Sequence, residues 1–448
     1  MISFFELLAQ IPVPKDIPLP LPLPEWLLIL LLIISFAAHI LFVNLMVGGT
    51  LLTFFSQVKG LNEPDYDTLA HEISKTVTVN KSLAIVMGVA PLLTINTLYT
   101  IYFYSANSLT GLFWIAVIPM VTVAFLLTYP HKYLWGVLKD NKGLHISMIG
   151  AASGIFLIIP LIFLTNINLM MFPEKWALVQ GFLSALLLPN VFPRYFHFIF
   201  ASLAVTGLFL FHYFNRESFK FEEHFKVITK HDVLKRMYSL SFMASLLQFF
   251  AGPLVLLTLP TKGISWEMIL TIGGGVLLSL PAIYYMWIGI SGPPEEIAKN
   301  YKKVVTLLSL TVLFMISGRQ IYRSNSIEPH RKLMLQRTEE YEKAIVQAQI
   351  NLEKEKSEDN NNSNPELTLV KGKEVFGLYC AACHKEREKV VGPPITEMSQ
   401  IYKSDLDGLK KWIVAPGKKR PDYPQMPGFP QISEGELENL SIYIVSIK

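Results

Sequence analysis

Long apolar runs separated by short polar connections fill the chain from residue 26 to residue 322. A helix needs about 20 apolar residues to cross a bilayer, and eight of the runs reach that length. The runs are residues 26–56, 79–104, 109–129, 144–165, 192–214, 237–259, 266–290 and 302–322. The pattern therefore predicts an all-α bundle of eight transmembrane helices over residues 26–322.

The polar connections alternate in positive charge, and this alternation predicts a topology. Lys and Arg are frequent after the first, third, fifth and seventh runs, whereas the other connections contain only Lys175, Arg194 and Lys262. Because Lys and Arg are enriched in cytoplasmic loops, we expect the odd-numbered connections inside and residues 1–25 outside. No signal-peptide cleavage pattern precedes the first run, so we expect that run to stay as a signal anchor. Eight crossings return the chain to the outside.

The hydropathy pattern changes after the eighth run, where charged residues replace apolar ones. Residues 328–356 are rich in strong helix formers and predict one exposed helix, with a spacer as its simplest role. The sequence SEDNNNSNPE that follows has nothing apolar to bury and predicts a flexible linker. We assign residues 323–365 to this helix and linker, and residues 366–448 to a small helical domain. In its last segment, Ser433 and Glu436 have capping-box spacing before an apolar-periodic helix.

Composition supports a membrane protein and excludes one class of partner. Hydrophobic residues make up 51% of the chain and charged residues only 17%, whereas a soluble domain carries about 25% charged residues. The formal net charge of +4 is small, and no basic stripe with interleaved aromatic residues occurs. We therefore expect no nucleic-acid partner.

The two cysteines of the chain, Cys380 and Cys383, are followed directly by His384 in the sequence CAACH. This spacing is that of a covalently attached c-type haem, in which both thiols form thioethers and the histidine binds the iron. A zinc site would need further ligands, and the chain has no second cysteine pair. One haem also consumes both thiols and leaves none for a disulfide.

The surroundings of this motif resemble a small class I cytochrome c over residues 366–448. VGPPI follows the motif at 391–395, and YPQMPGFP supplies Met426. The resemblance implies that the proline-rich turn packs against His384 and that Met426 is the sixth iron ligand, with Met398 as the competing methionine. A thioether opposite an imidazole raises the haem potential relative to two histidines. Because bacterial c-type haems are attached outside the inner membrane, the resemblance also implies a periplasmic domain of a bacterial inner-membrane protein.

Ionisable side chains are rare inside the predicted spans, and such groups are functional candidates by default. His39 lies in the first span, His197 in the fifth, and Arg319 near the outer end of the eighth. By the predicted topology all three share the outer half of the membrane, which favours one or more b-type haems with Arg319 near their propionates. The alternative is that each histidine only packs or hydrogen-bonds. We expect His131 and His212, near the inner surface, to reach toward water as ordinary polar side chains.

Three short motifs resemble subunit I of the cytochrome bd-type quinol oxidases over residues 26–322. They are HILFVNLMVGGTLL, RYFHFIFASLAVTG and SGRQIYRSN. The resemblance implies that His39 binds a high-spin haem and His197 a low-spin haem. Arg319 and Gln320 match a pair near those haems. The resemblance also allows haem d beside haem b, and it implies other membrane subunits of a bd-like complex as partners.

The chain departs from that family at several places. Its third span contains no acid, and Ile316 and Ser317 stand before Gly318, where the family carries a glutamate. LTIGGGVLL replaces the segment with the family's methionine ligand, and Met268, about one turn earlier, is a candidate substitute. The family's long quinol-binding loop is reduced to LPTKGISWE, and its ninth helix is replaced by the linker and the cytochrome c.

These departures remove the proton donors of oxygen reduction and the usual entry site for electrons. The sequence therefore predicts a membrane subunit of a respiratory complex that exchanges electrons between a c-type haem and membrane haems. A periplasmic cytochrome c or another electron carrier is the expected partner. Whether oxygen is reduced here or in a partner subunit stays open, and the missing acids argue against this chain. Two alternatives are a quinol dehydrogenase that passes electrons to haem c and a non-catalytic scaffold that anchors a cytochrome c.

Overall fold

The structure, a computed structural model, describes residues 21–361 and 365–448 of the chain. Within these ranges the side chains of a few helical residues are not described: 79–81, 353 and 355–361. Most of the predicted outer N-terminal segment and the centre of the predicted linker lie outside the described residues. All regular elements of the described ranges are helices, and no strand occurs in them. The predicted all-α class is confirmed.

The helices of the apolar part, in chain order, are α1 (Glu25–Lys59), α2 (Pro64–Leu98), α3 (Thr100–Thr110), α4 (Leu112–Tyr133), α5 (Lys142–Met170), α6 (Phe182–Leu186), α7 (Val191–Asn215), α8 (Phe221–His224), α9 (Lys230–Thr258), α10 (Trp266–Ser291) and α11 (Tyr301–Asn361). In the described part of the chain, eight helices are long and apolar enough to cross a membrane: α1, α2, α4, α5, α7, α9, α10 and α11. Large apolar side chains such as Ile118, Phe250 and Leu277 are exposed on them. Such surfaces suit lipid rather than water. The eight predicted spans are thus confirmed as helices.

The second span differs from its predicted limits of 79–104. The helix already begins at Pro64, and proline is favoured in the first turn of a helix. It ends at Leu98, because Tyr99 leaves the helical region with φ −128° and ψ 40°. The polar residues that open α2 resemble a loop in sequence, and contacts with other segments make them helical.

The eighth span continues without interruption into the charged segment that follows it. α11 runs from Tyr301 to Asn361, so the predicted exposed helix at 328–356 is an extension of the span. The first five residues of the predicted linker, 357–361, are helical as well. The chain divides into two compact units, one ending at Thr338 and the other beginning at Glu339. Because α11 passes this boundary, the predicted domain limits stay predictions.

α1 and α7 approach each other closely at Gly48. A Cβ atom at this position would lie 2.3 Å from Thr206 Oγ1 and 2.6 Å from the Ser202 carbonyl oxygen. At the same level, the Ser202 hydroxyl donates to Asn44 Oδ1 at 3.0 Å and the Thr206 hydroxyl donates to the Asn44 carbonyl at 3.1 Å. Small residues and hydroxyl hydrogen bonds are the usual means of joining helices in a membrane. The two helices are therefore held in a fixed register.

The C-terminal unit contains α12 (Pro365–Tyr379), α13 (Ile395–Tyr402), α14 (Leu406–Val414) and α15 (Glu434–Ser446). α12 and α15 cross at Gly372, where a Cβ atom would lie 2.1 Å from the Asn439 carbonyl oxygen. The predicted capping box starts α15, with the Ser433 backbone N–H donating to Glu436 Oε2 at 3.0 Å. The two long helices of the unit thus pack backbone against backbone.

Candidate haem sites

The Cys-x-x-Cys-His segment forms a tight turn that continues the path of α12. The backbone N–H groups of Cys380 and His384 donate to the carbonyls of Phe376 and Cys380, both at 2.9 Å. Cys380 is buried, Cys383 is half-buried, and neither forms a disulfide. Burial raises the pKa of the unmodified Cys380 thiol to about 11. At neutral pH that group is therefore an uncharged thiol in an apolar site.

The proline-rich turn packs against His384, in agreement with the resemblance. His384 Nδ1–H donates to the Pro393 carbonyl at 2.7 Å. This bond places the proton on Nδ1 and leaves Nε2 free to bind a metal. Gly392 lies against the ring, because a Cβ atom there would be 2.3 Å from His384 Cε1. The side chain is held in the tautomer and position that an iron ligand requires, so this site fits a haem.

The two candidate methionines occupy different environments. Met426 is half-buried in the irregular segment between α14 and α15. That segment is anchored where the Phe429 N–H donates to the Ile413 carbonyl at 3.0 Å. Met398 lies on α13 and packs against the hydrophobic core of the unit. Met398 is thus used in core packing, which favours Met426 as the second axial ligand. The assignment stays a prediction.

Comparison with protein-family models matches residues 369–448 to the cytochrome c family. Residues 369–448 are a cytochrome c domain. The family implies one covalently attached haem c and haem-based electron transfer. No curated protein matches the chain. No match to bd-type oxidases accompanies the cytochrome c domain, so that resemblance of the membrane helices stays a hypothesis.

In the membrane helices, His39 lies on α1 against the backbone of α2. Its Nδ1–H donates to the Ala84 carbonyl at 2.9 Å. A Cβ atom at Gly88 would lie 2.8 Å from His39 Cε1, so the ring packs directly on this glycine. As in the cytochrome c domain, the hydrogen bond places the proton on Nδ1 and leaves Nε2 as an electron-pair donor. His39 therefore meets the requirement for an iron ligand.

His197 lies on α7 and has a polar atom without a partner. Its ring nitrogen Nδ1 is buried and makes no hydrogen bond in the described structure. Gln248 on α9 donates to the backbone carbonyl of His197 at 3.3 Å and leaves the ring unpaired. An unsatisfied buried polar group costs about 1–3 kcal/mol. The ring of His197 therefore fits a site that a further group completes.

The register between α1 and α7 places the two histidines at similar depth. The spans run back and forth, so the first and the fifth have the same direction. At a rise of 1.5 Å per residue, His39 lies about 13 Å before Gly48 along α1. On the same basis His197 lies about 7–14 Å before Ser202 and Thr206, which flank Gly48. Both candidate ligands thus occur at one level of the bundle.

Arg319 is accompanied by two arginines that the sequence motifs did not single out as ligand groups. Arg194 and Arg323 are only 9% and 6% exposed. Arg319 interacts electrostatically with both of them, and His197 interacts with Arg194 and Arg319. No acid of the described residues pairs with any of these guanidinium groups. The signal was present in the spacing, because RYFH places Arg194 and His197 on one helix face and RQIYR places Arg319 and Arg323 on another.

Gln320 supports one of these arginines. Its Oε1 accepts from Arg323 Nη1 at 2.7 Å, and its Nε2 donates to the Tyr99 hydroxyl at 2.6 Å. The amide is buried and both of its ends are paired, so Gln320 fixes the position of Arg323. Its predicted place beside a haem stays a prediction.

Met268 is fully buried in the first turn of α10. It packs with Met171, Phe172 and Tyr322, and contacts of sulfur with aromatic rings are favourable. Packing alone accounts for its burial. The predicted role of Met268 as a substitute haem ligand stays a prediction.

His131 does not reach toward water, and this expectation was wrong. The side chain is 1% exposed, and its Nε2–H donates to Gln57 Oε1 at 2.9 Å. Gln57 Nε2 donates to His145 Nδ1 at 2.8 Å, and His145 Nε2–H donates to the His131 carbonyl at 2.7 Å. This closed network joins α1, α4 and α5, and it gives the buried groups partners without a ligand. His212, by contrast, is exposed, and its reach toward water stays a prediction.

Proposed function

We propose that this protein is a membrane electron-transfer subunit of a bd-like respiratory complex, and that it exchanges electrons between haem c and membrane haems of b type. The observation that carries the proposal is a cytochrome c domain joined to a helical bundle with unpartnered buried histidine and arginine atoms. The cytochrome c domain makes electron transfer the chemistry of the chain. The buried histidine and arginine atoms of the bundle suit a bound, negatively charged redox cofactor.

In the cytochrome c domain, Cys380 and Cys383 hold the haem covalently and His384 binds the iron. Pro393 keeps the histidine ring in the tautomer that an iron ligand requires, and Met426 would be the second protein ligand of the iron. The haem supplies a one-electron couple. The surrounding residues orient it and exclude water.

In the bundle, His39 and His197 are the proposed iron ligands and Arg319 the proposed partner of haem carboxylates. We propose b-type haem there and keep haem d as a second possible group of the same site. Because residues 109–129 contain no acid, we assign oxygen reduction, where the complex performs it, to a partner subunit.

We further propose that the protein lies in the inner membrane of a bacterium with its N-terminus and cytochrome c domain on the periplasmic side. The distribution of Lys and Arg among the connections supports this orientation. The partners then are other membrane subunits and a periplasmic cytochrome c or another soluble electron carrier.

The test is a pyridine haemochrome measurement on the purified protein and on His39→Ala and His197→Ala. The proposal expects haem b beside haem c in the parent protein, and a lower haem b content with unchanged haem c in each variant. His212→Ala, a change at an exposed histidine of α7, is the control and keeps both haems. Haem c without any haem b or d in the parent protein would refute the membrane-haem part.

A further inference from the structure

We propose that Arg194 and Arg323 join Arg319 in one site that binds the carboxylates of a haem held in the bundle. The inference rests on the proposed function, because it takes the membrane haem as the anionic ligand. It adds two binding residues that no motif assigns, and it gives Gln320 the role of positioning Arg323.

The first argument is electrostatic. Three guanidinium groups lie near one another inside the bundle, and no acid of the described residues neutralises them. Like charges repel strongly at low dielectric, and a buried charge without a partner is costly. Such a cluster is stable when an anion completes it.

The second argument concerns unused hydrogen-bond donors. Arg194 Nη1, Arg319 Nε and Arg323 Nε are buried and have no partner. Each guanidinium therefore keeps an N–H available for an oxygen atom. Arginine presents its donors as a planar fork that matches a carboxylate, which makes an oxygen-bearing dianion the ligand of best fit.

The third argument is position. Arg194 precedes His197 by about one helical turn on α7. The Arg319 guanidinium lies over the ring of Phe36 at 5.3 Å, and Phe36 precedes His39 by about one turn on α1. The arginines therefore lie beside both candidate iron ligands. A haem carries an iron atom and two carboxylates. The histidines would bind the iron, and the arginines would bind the carboxylates.

Three positive charges against two carboxylates leave a net positive charge near the iron. A positive charge favours the reduced, less positive iron and raises the midpoint potential. Removing one arginine should therefore lower the potential of the membrane haem and leave haem c unaffected.

The experiment uses the full-length protein with Arg194→Gln and Arg323→Gln, each analysed for haem b to haem c ratio and by redox titration of both haems. Arg331→Gln is the matched control. Arg331 lies on α11, as Arg323 does, but it is exposed and pairs with Glu25 at 3.2 Å and Glu328 at 3.0 Å. Covalent haem c measures how much intact protein each variant yields. Arg194→Lys keeps the positive charge, so comparing it with Arg194→Gln separates the effect of the charge from a packing defect.

The expected result is a partial loss of haem b in the Gln variants, or a tenfold fall in the reduced-to-oxidised ratio at a fixed potential, which equals 59 mV for one electron. Arg331→Gln should keep the parent ratio and potential, and Arg194→Lys, which keeps the charge but not the planar fork, should keep the parent potential in the haem that it binds. Haem b present with unchanged content and potential in both Gln variants would overturn this inference alone. So would a fall in potential in Arg194→Lys as large as that in Arg194→Gln. A parent protein without haem b would overturn the proposed function and the inference with it.

Discussion

His384 and His39 share one hydrogen-bond arrangement, in which Nδ1–H donates to a backbone carbonyl, of Pro393 in one case and Ala84 in the other. His131 differs, because its Nε2–H is used by Gln57. The first arrangement leaves Nε2 available to a metal and the second does not. For His384, His39 and His131, the partner of each ring nitrogen therefore separates the candidate ligands from the packing histidine better than burial does.

Gly392 gives a direct test of the ring position in the cytochrome c domain. In Gly392→Ala the new Cβ would lie 2.3 Å from His384 Cε1, so the imidazole must leave the position that it has in the structure. We expect a weakened iron–histidine bond and a loss of about 1–3 kcal/mol of stability from overpacking. Visible absorption spectra and thermal unfolding of the holoprotein measure both effects.

Gly417→Ala is the control for this substitution, because its nearest contact is an ordinary 3.6 Å to Trp412. It should leave the spectrum of haem c as it is. If Gly392→Ala had the same spectrum and stability as Gly417→Ala, the packing of the turn on His384 would not matter for ligation.

Met426 and Met398 can be separated by their effect on the haem c potential. Loss of a thioether ligand opposite an imidazole lowers the potential and changes the haem spectrum. We expect this from Met426→Ala, whereas Met398→Leu should change only core packing, by less than about 1.5 kcal/mol. A redox titration of the two variants decides the point. A lowered potential in Met398→Leu with none in Met426→Ala would reverse the assignment.

At the scale of elements, the spans were predictable because each depends on its own run of apolar residues. The start of α2 was not, because it depends on distant contacts. The Asp65 carboxylate accepts backbone N–H bonds from Val227 at 2.6 Å and Ile228 at 2.8 Å. These residues lie in the connection that precedes α9, more than 150 positions later in the chain. No local pattern around Pro64 carries that information.

The candidate sites also differ in how far the sequence alone could predict them. Cys380, Cys383 and His384 are adjacent in sequence, so the covalent haem site could be predicted from five residues. Arg323 lies about one turn from Arg319 on α11, whereas Arg194 belongs to α7, and only the fold brings Arg194 to the other two. Sites assembled from several elements need the packing of those elements to be known.

The network of Gln57, His131 and His145 predicts a stability effect at the junction of α1, α4 and α5. Gln57→Leu keeps the volume and removes both partners, which leaves His131 Nε2–H and His145 Nδ1 buried without hydrogen bonds. We expect a loss of about 1–3 kcal/mol for each orphaned nitrogen. Thermal unfolding of the detergent-solubilised protein measures the loss. The control is Gln347→Leu, because Gln347 lies on an exposed part of α11 and pairs with Asn351 at 2.9 Å. If both substitutions destabilised the protein equally, the network would have no special role.

At the scale of the whole molecule, the proposed orientation rests on the charge pattern and on where c-type haems are attached. Lys and Arg alternate so that the connection between α4 and α5 should lie inside, whereas the C-terminal end should lie outside, where c-type haems are attached in bacteria. A phosphatase that folds only outside the cytoplasm tests this when fused after Lys139, Lys175 or Lys448. We expect activity after Lys175 and Lys448 and none after Lys139, because the proposed topology places the positively charged connection that contains Lys139 inside. Activity after Lys139 with none after Lys175 would invert the topology, and the cytochrome c domain could not then exchange electrons with a periplasmic carrier.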